Sequence, residues 1–246
     1  MEVWHIYIFE GSSDGMRDAV IKSEPLDTQG AVVPQLHQRL RELIVRGDLP
    51  PGKRLSETEV ARAFSVSRQP VREAFIRLVD DGLIEVRPQR GSYVCKISIS
   101  RVLDARFMRE AVEADIVRLI AGSANNATVQ KLRASITAQR EAAHDGYAFL
   151  ALDDRFHMAL AEAVDKTDVW RILTVMKIQM DRVRHILSKE NTIQRSIEQH
   201  SAIVDAIERN DPDAAEAAMR QHLRQILADL DEINSEDARY FDDETQ

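Results

Sequence analysis

Apolar residues return at helical spacing along most of the chain. Val33, Leu36, Leu40, Leu43 and Ile44 mark one face of a helix expected from Ala31 to Arg46 and ended by Gly47. Residues 47–52, Gly-Asp-Leu-Pro-Pro-Gly, read as a turn. Ser56 with Glu59 forms a capping box, which predicts a second helix over about Glu57 to Phe64 with Val60, Ala61 and Phe64 inward. Ser65-Val66 leaves only a tight connection to a third helix. Ser67 is its expected N-cap, Pro70 falls in the first turn where a missing N–H costs nothing, and Val71, Phe75, Leu78 and Val79 form its apolar stripe. After Asp81-Gly82 the helical period stops, and two short β-like runs, Leu83 to Arg87 and Ser92 to Ile97, flank Pro88-Gln89-Arg90-Gly91. Three helices and a hairpin predict a winged helix-turn-helix domain over residues 30–97.

From about Ser100 to Glu236 the helical period continues, broken at Gly122-Ser123, His144-Asp145-Gly146, Asp165-Lys166-Thr167, Lys189-Glu190-Asn191 and Asn210-Asp211-Pro212. The spacing predicts six helices and hence an all-α six-helix bundle over residues 98–236. The fold class expected is therefore mainly α. Residues 1–29 lack clear periodicity and are expected to be an N-terminal tail. Their apolar run Val3 to Phe9 is too short to span a bilayer and follows no cationic region. Residues 237–246 are expected to be an acidic tail.

Composition adds a division between the two domains. The chain of 246 residues has 44% hydrophobic and 30% charged residues and a net charge of −8, as a soluble globular protein does. The charge is uneven. Residues 31–96 hold 12 Lys and Arg against 8 Asp and Glu, whereas residues 97–246 hold 19 against 27. A basic segment on an acidic chain is the footprint of a nucleic-acid-binding module joined to a separate partner domain. The single cysteine, Cys95, excludes an intrachain disulfide and fits a reducing, cytoplasmic setting.

In a helix-turn-helix the second helix enters the major groove and its N-terminal residues approach the bases. Those residues here are Ser67, Arg68, Gln69 and Arg72. Neither arginine has an acidic residue three or four positions away on its own helix, so both suit an external anion. Arginine can donate to guanine, glutamine can pair with adenine, and a helix N-terminus attracts phosphate. Arg90 and Gly91 at the hairpin tip supply charge and a close backbone approach.

The second domain carries candidate metal chemistry. Asp153 and His157 share a helix face at i, i+4. His200 lies within the stripe Ile193, Ile197, Val204, Ile207, and His222 within Ala215, Met219, Ile226, Leu230. A buried imidazole without a partner costs on the order of 1–3 kcal/mol. Three imidazoles and a carboxylate suit a divalent transition metal, zinc or nickel.

Residues 31–96 resemble the DNA-binding module of the GntR family of bacterial transcription regulators. The match runs through Pro51-Gly52-Lys53-Arg54-Leu55-Ser56-Glu57, Val66 to Ala74, Leu78, Gly82-Leu83-Ile84 and Arg90-Gly91-Ser92. Thr58 stands where the family often has arginine, and Gln69 where it often has threonine. Residues 100–235 resemble the FCD effector domain of the family's FadR branch through Leu152 to His157, Glu198-Gln199-His200 and Met219 to Leu223. That resemblance implies a metal held by Asp153, His157, His200 and His222, a small organic carboxylate effector, and an assisting arginine at Arg109. Arg109 also stands four residues before Glu113, as in a surface i, i+4 pair. The function expected is a homodimeric operator-binding regulator, a repressor, controlled by such a carboxylate and bound to no membrane. One alternative is a regulator that responds to the metal ion itself. A rival is a metal-dependent hydrolase, suggested by His144-Asp145.

Overall fold

A computed structural model of the chain describes residues 26–27, 30–123, 125–187, 190–233 and 235–242. The expected tail at 1–29 lies outside them apart from residues 26 and 27. The chain forms two compact units, residues 1–96 and 97–246.

The first unit is a winged helix. Helices α1 (Val32–Val45), α2 (Glu57–Ala63) and α3 (Arg68–Asp80) accompany strands β1 (Arg54–Leu55), β2 (Ile84–Arg87) and β3 (Gly91–Val94). Leu36, Leu40, Leu43 and Ile44 of α1 are buried, as are Val71, Ala74, Phe75 and Leu78 of α3. The pattern predicted Val79 on the buried side, but it is 40% exposed and Ala74 takes its place. The stripe therefore runs through 71, 74, 75 and 78, the spacing at which successive turns of one helix face coincide. Ser67 occupies the N-cap of α3 in extended conformation, yet its hydroxyl makes no cap hydrogen bond.

The sheet is antiparallel in the order β1-β3-β2. In the hairpin Ile84 faces Val94 and Arg87 faces Gly91, and β1 adds Arg54 opposite Tyr93 and Leu55 opposite Ser92. Strand β1 was not legible in the sequence, because two residues have no period and their pairing is with a strand almost forty positions away. Gly91 has a φ of 107°, and a Cβ there would meet Arg54 Nε at 3.2 Å. The hairpin tip thus requires glycine for its backbone as well as for space.

The second unit is helical: α4 (Ile99–Ala121), α5 (Asn126–Glu141), α6 (Gly146–Glu162), α7 (Thr167–Met176), α8 (Ile178–Ile186), α9 (Glu190–Glu208), α10 (Pro212–Asp231) and the four-residue α11 (Ser235–Ala238). Among the described residues seven main helices replace the six expected, because the predicted segment between Thr167 and Lys189 is two helices. The break is at Lys177, whose ψ is 1°. Its ammonium is buried and donates to both carboxylate oxygens of Asp154, 2.9 and 3.1 Å, and of Asp181, 2.7 and 2.8 Å. Burial of a charge demands such partners, and reaching Asp154 on α6 fixes where the chain turns. The apolar core includes Val117, Leu132, Ile136, Phe149, Phe156 and Val204. Phe241, in the segment expected to be a tail, is buried, and Ile97 N–H donates to Tyr240 O at 2.9 Å.

Asp145 caps α6: its carboxylate accepts from the N–H groups of Tyr147 and Ala148 at 3.0 and 3.1 Å. Asp145→Ala is expected to lower stability by about 1 kcal/mol, measurable as a shift in the denaturant midpoint with an unchanged slope.

Candidate functional site

Asp153, His157, His200 and His222 come together inside the second unit, with one ligand atom of each lying within 4.8 Å of the others. Helix α6 supplies Asp153 and His157, α9 supplies His200 and α10 supplies His222. His200 Nε2 lies 3.3 Å from His222 Nε2, which lies 3.3 Å from His157 Nε2. Such edges suit donors bound at about 2.0–2.1 Å around a tetrahedral centre.

Three acceptors fix the imidazole tautomers. Nδ1 of His157 faces Glu113 Oε2 at 2.5 Å, Nδ1 of His200 faces Gln139 Oε1 at 2.8 Å, and Nδ1 of His222 faces Gln199 Oε1 at 2.9 Å. Opposite oxygen acceptors, each Nδ1 is placed to donate, and each ring turns its Nε2 into the cluster. Three Nε2 atoms then converge on one point of the interior. The fourth group is Asp153, whose Oδ1 is buried without a hydrogen-bond partner, 3.5 Å from His200 Nε2. Arg184 Nη2 approaches that oxygen at 2.6 Å but out of line, while Arg184 Nη1 donates to Oδ2 at 2.7 Å.

Electrostatics favour the ligand forms. Burial, reinforced by His157, Arg184 and Arg109 against the attraction of Asp153, pushes His200 down to about 3. Burial and the other two imidazoles also push His222 well below the usual histidine range. Burial alone would raise the Asp153 carboxyl, but Arg184, His157 and His200 outweigh it and hold the group well below the carboxylate range. An ionised carboxylate and neutral imidazoles are the states a divalent metal takes. The residues present therefore fit such an ion.

Arg109 is 1% exposed, so its i, i+4 pair with Glu113 is buried rather than on the surface. Its Nε donates to Glu113 Oε1 at 2.6 Å, and the other oxygen of that carboxylate faces His157. Burial raises the Glu113 carboxyl, yet Arg109 and His157 outweigh it and hold it at about 2. Glu113, Gln139 and Gln199 were not expected as supports of the imidazoles. Gln139 offered a signal, a polar residue in the buried series Leu132, Ile136, Gln139. Arg184 offered none, since nothing local ties it to Asp153.

In the first unit Ser67, Arg68, Gln69 and Arg72 lie at the start of α3, all of them exposed. Arg68 pairs with Glu57 of α2 at 3.3 Å, a partner that spacing on its own helix could not reveal. Gln69 donates to Glu73 at 3.0 Å. Arg72 has no ion-pair partner among the described residues. Arg90 and Gly91 close the turn between β2 and β3, with Arg90 exposed.

Comparison with known proteins covers both units. The family described as bacterial regulatory proteins, gntR family, matches residues 33–94, and the FCD domain matches residues 104–225. The chain is 38% identical over 213 residues to the HTH-type transcriptional repressor RspR of Escherichia coli strain K12, covering 85% of this chain and 93% of that protein. It is 30% identical to the probable D-xylose utilization operon transcriptional repressor of Paenarthrobacter nicotinovorans, covering 81% and 89% of the two chains. Among solved structures, a GntR-type transcriptional regulator from Rhodococcus sp. RHA1 superposes with a TM-score of 0.68 at 24% identity, over 82% of this chain and 99% of that one. That likeness speaks to the fold.

Proposed function

Because the chain belongs to the gntR family of bacterial regulatory proteins and carries an FCD domain, we propose that this DNA-binding regulator responds to a divalent transition metal held by Asp153, His157, His200 and His222. The regulator class itself follows from membership, and it is a non-enzymatic one. The hydrolase alternative loses its motive as well, since Asp145 spends its carboxylate on the N-terminus of α6. Among the described residues no helix is long and apolar enough to cross a membrane.

The observation that carries the metal reading is the buried gathering of three Nε2 atoms and the Asp153 carboxylate, with one ligand atom of each residue within 4.8 Å of the others. A bound ion would supply one fixed positive centre joining α6, α9 and α10. Glu113, Gln139 and Gln199 hold the rings for it, and Arg109 acts on His157 through Glu113. Donor spacing and three imidazoles support zinc ahead of nickel.

A small organic carboxylate as effector rests on the family's effector domain and on the FadR-branch resemblance. The cavity beside the cluster, lined by Arg184, Thr192, Ser196 and Asp229 among apolar walls, has a volume of about 40 Å³. That is room for a few waters. Repression is supported by the two relatives described as repressors. In this reading Ser67, Arg68, Gln69, Arg72, Arg90 and Gly91 meet the operator, and a homodimer sets two α3 helices on half-sites. Helices α4 and α7 are in contact, and Phe107 on one and Ile172 and Val175 on the other are 62, 62 and 67% exposed, apolar positions that a second copy would cover.

Titration of metal-stripped protein with zinc, followed by anisotropy of labelled operator, tests the reading. Operator affinity is expected to change by about 5-fold or more, while His200→Ala binds DNA yet ignores zinc. An affinity that moves only when carboxylates are added at fixed zinc would transfer the effector role to them.

A further inference from the structure

Asp153 is fully buried, and its candidate role consumes only one of its two oxygens. The other, Oδ2, accepts from Arg184 Nη1 at 2.7 Å, and Arg184 Nη2 stands 2.6 Å from Oδ1. Among the described residues Arg184 is the only lysine or arginine within ion-pair distance of this carboxylate. The remaining neighbours at that distance are the imidazoles of His157 and His200, 3.8 and 3.5 Å away. Arg184 sits on α8, the helix set free from α7 by the break at Lys177, and its side chain is 14% exposed.

We infer that Arg184 is the built-in counter-cation of the metal-free site, pairing with the Asp153 carboxylate in place of an ion and thereby weakening metal binding enough to keep it reversible. The inference rests on the metal reading above. A buried carboxylate with no cation is strongly disfavoured. In the metal-free protein Arg184 removes that penalty. In the metal-bound protein the ion neutralises the same carboxylate, and the guanidinium then faces a dication across one side chain. Arg184 thus stabilises the metal-free form more than the loaded form. Any group that does so lowers affinity, because binding free energy is the difference between the two. Arg184 spans both oxygens of Asp153, donating to Oδ2 through Nη1 with Nη2 2.6 Å from Oδ1, while His200 Nε2 lies 3.5 Å from Oδ1 and His157 Nε2 3.8 Å from Oδ2. A regulator needs such a site, since an ion held too tightly to leave reports nothing.

The test is zinc affinity, measured by competition with a chromophoric chelator on full-length, metal-stripped protein. Arg184→Gln, which keeps a donor but removes the charge, is expected to bind zinc about 10-fold tighter or more, about 1.4 kcal/mol by conversion. Its melting temperature should fall in the metal-free state and return to the wild-type value with zinc. A second comparison leaves no buried carboxylate uncompensated: Asp153→Asn/Arg184→Gln should bind zinc more tightly than Asp153→Asn. Equal or weaker affinity on removal of Arg184 in either comparison overturns the inference. Wild-type protein that takes up no zinc or nickel instead overturns the metal reading, and this inference with it.

Discussion

Arg109→Met is expected to lower the unfolding free energy of the metal-free protein by about 3–5 kcal/mol, the cost of leaving a buried charge without its partner. Arg109 is 1% exposed and Glu113 2% exposed, and Nε of Arg109 lies 2.6 Å from Glu113 Oε1. Methionine fills much of the volume but donates nothing, so the Glu113 carboxylate would keep only its interaction with His157. Glu113→Gln combined with Arg109→Met removes the stranded charge and should recover part of the deficit, which a double-mutant cycle reads directly. Guanidinium unfolding followed by circular dichroism measures all three variants. A decrease below about 1 kcal/mol for Arg109→Met would show that water or a rearranged partner reaches Glu113.

Arg72→Ala should have the largest effect on DNA. Operator affinity is expected to weaken by about 1–3 kcal/mol if the guanidinium reads a base, with the unfolding midpoint unchanged because the side chain is exposed and has no ion-pair partner among the described residues. Anisotropy titrations at several salt concentrations separate two roles. Removing a phosphate-binding arginine lowers the slope of log affinity against log salt by about 1 and weakens all sequences alike, whereas removing a base-reading one relaxes preference at one operator position. Arg68→Ala should cost less, since Arg68 already shares its charge with Glu57. Normal operator binding by Arg72→Ala would move the DNA surface away from the start of α3.

The two-unit organisation was legible because it is written in local pattern. The period of Ile193, Ile197, Val204 and Ile207 and the cap at Ser56 act over a few residues, and so does the switch from helical to alternating spacing after Gly82. Val79 shows the limit of that pattern, which placed it one step onto the wrong side of α3. Lys177 shows a larger one. Apolar residues continue on both sides of it, so nothing local marks a break, and the turn arises where its ammonium meets Asp154 of another helix.

Local spacing alone set three histidines and an aspartate in apolar stripes, and put two arginines at a helix start with no acidic neighbour on that helix. Which atom of each histidine faces the cluster depends on partners far away in the chain. The acceptor that turns His157 lies 44 positions away, that of His200 lies 61 and that of His222 lies 23. Arg184 reaches Asp153 across 31. Periodicity records which side chains leave water, because burial repeats with each helical turn. It does not record how a buried polar atom is satisfied, because that partner is chosen by packing between helices and has no period at all.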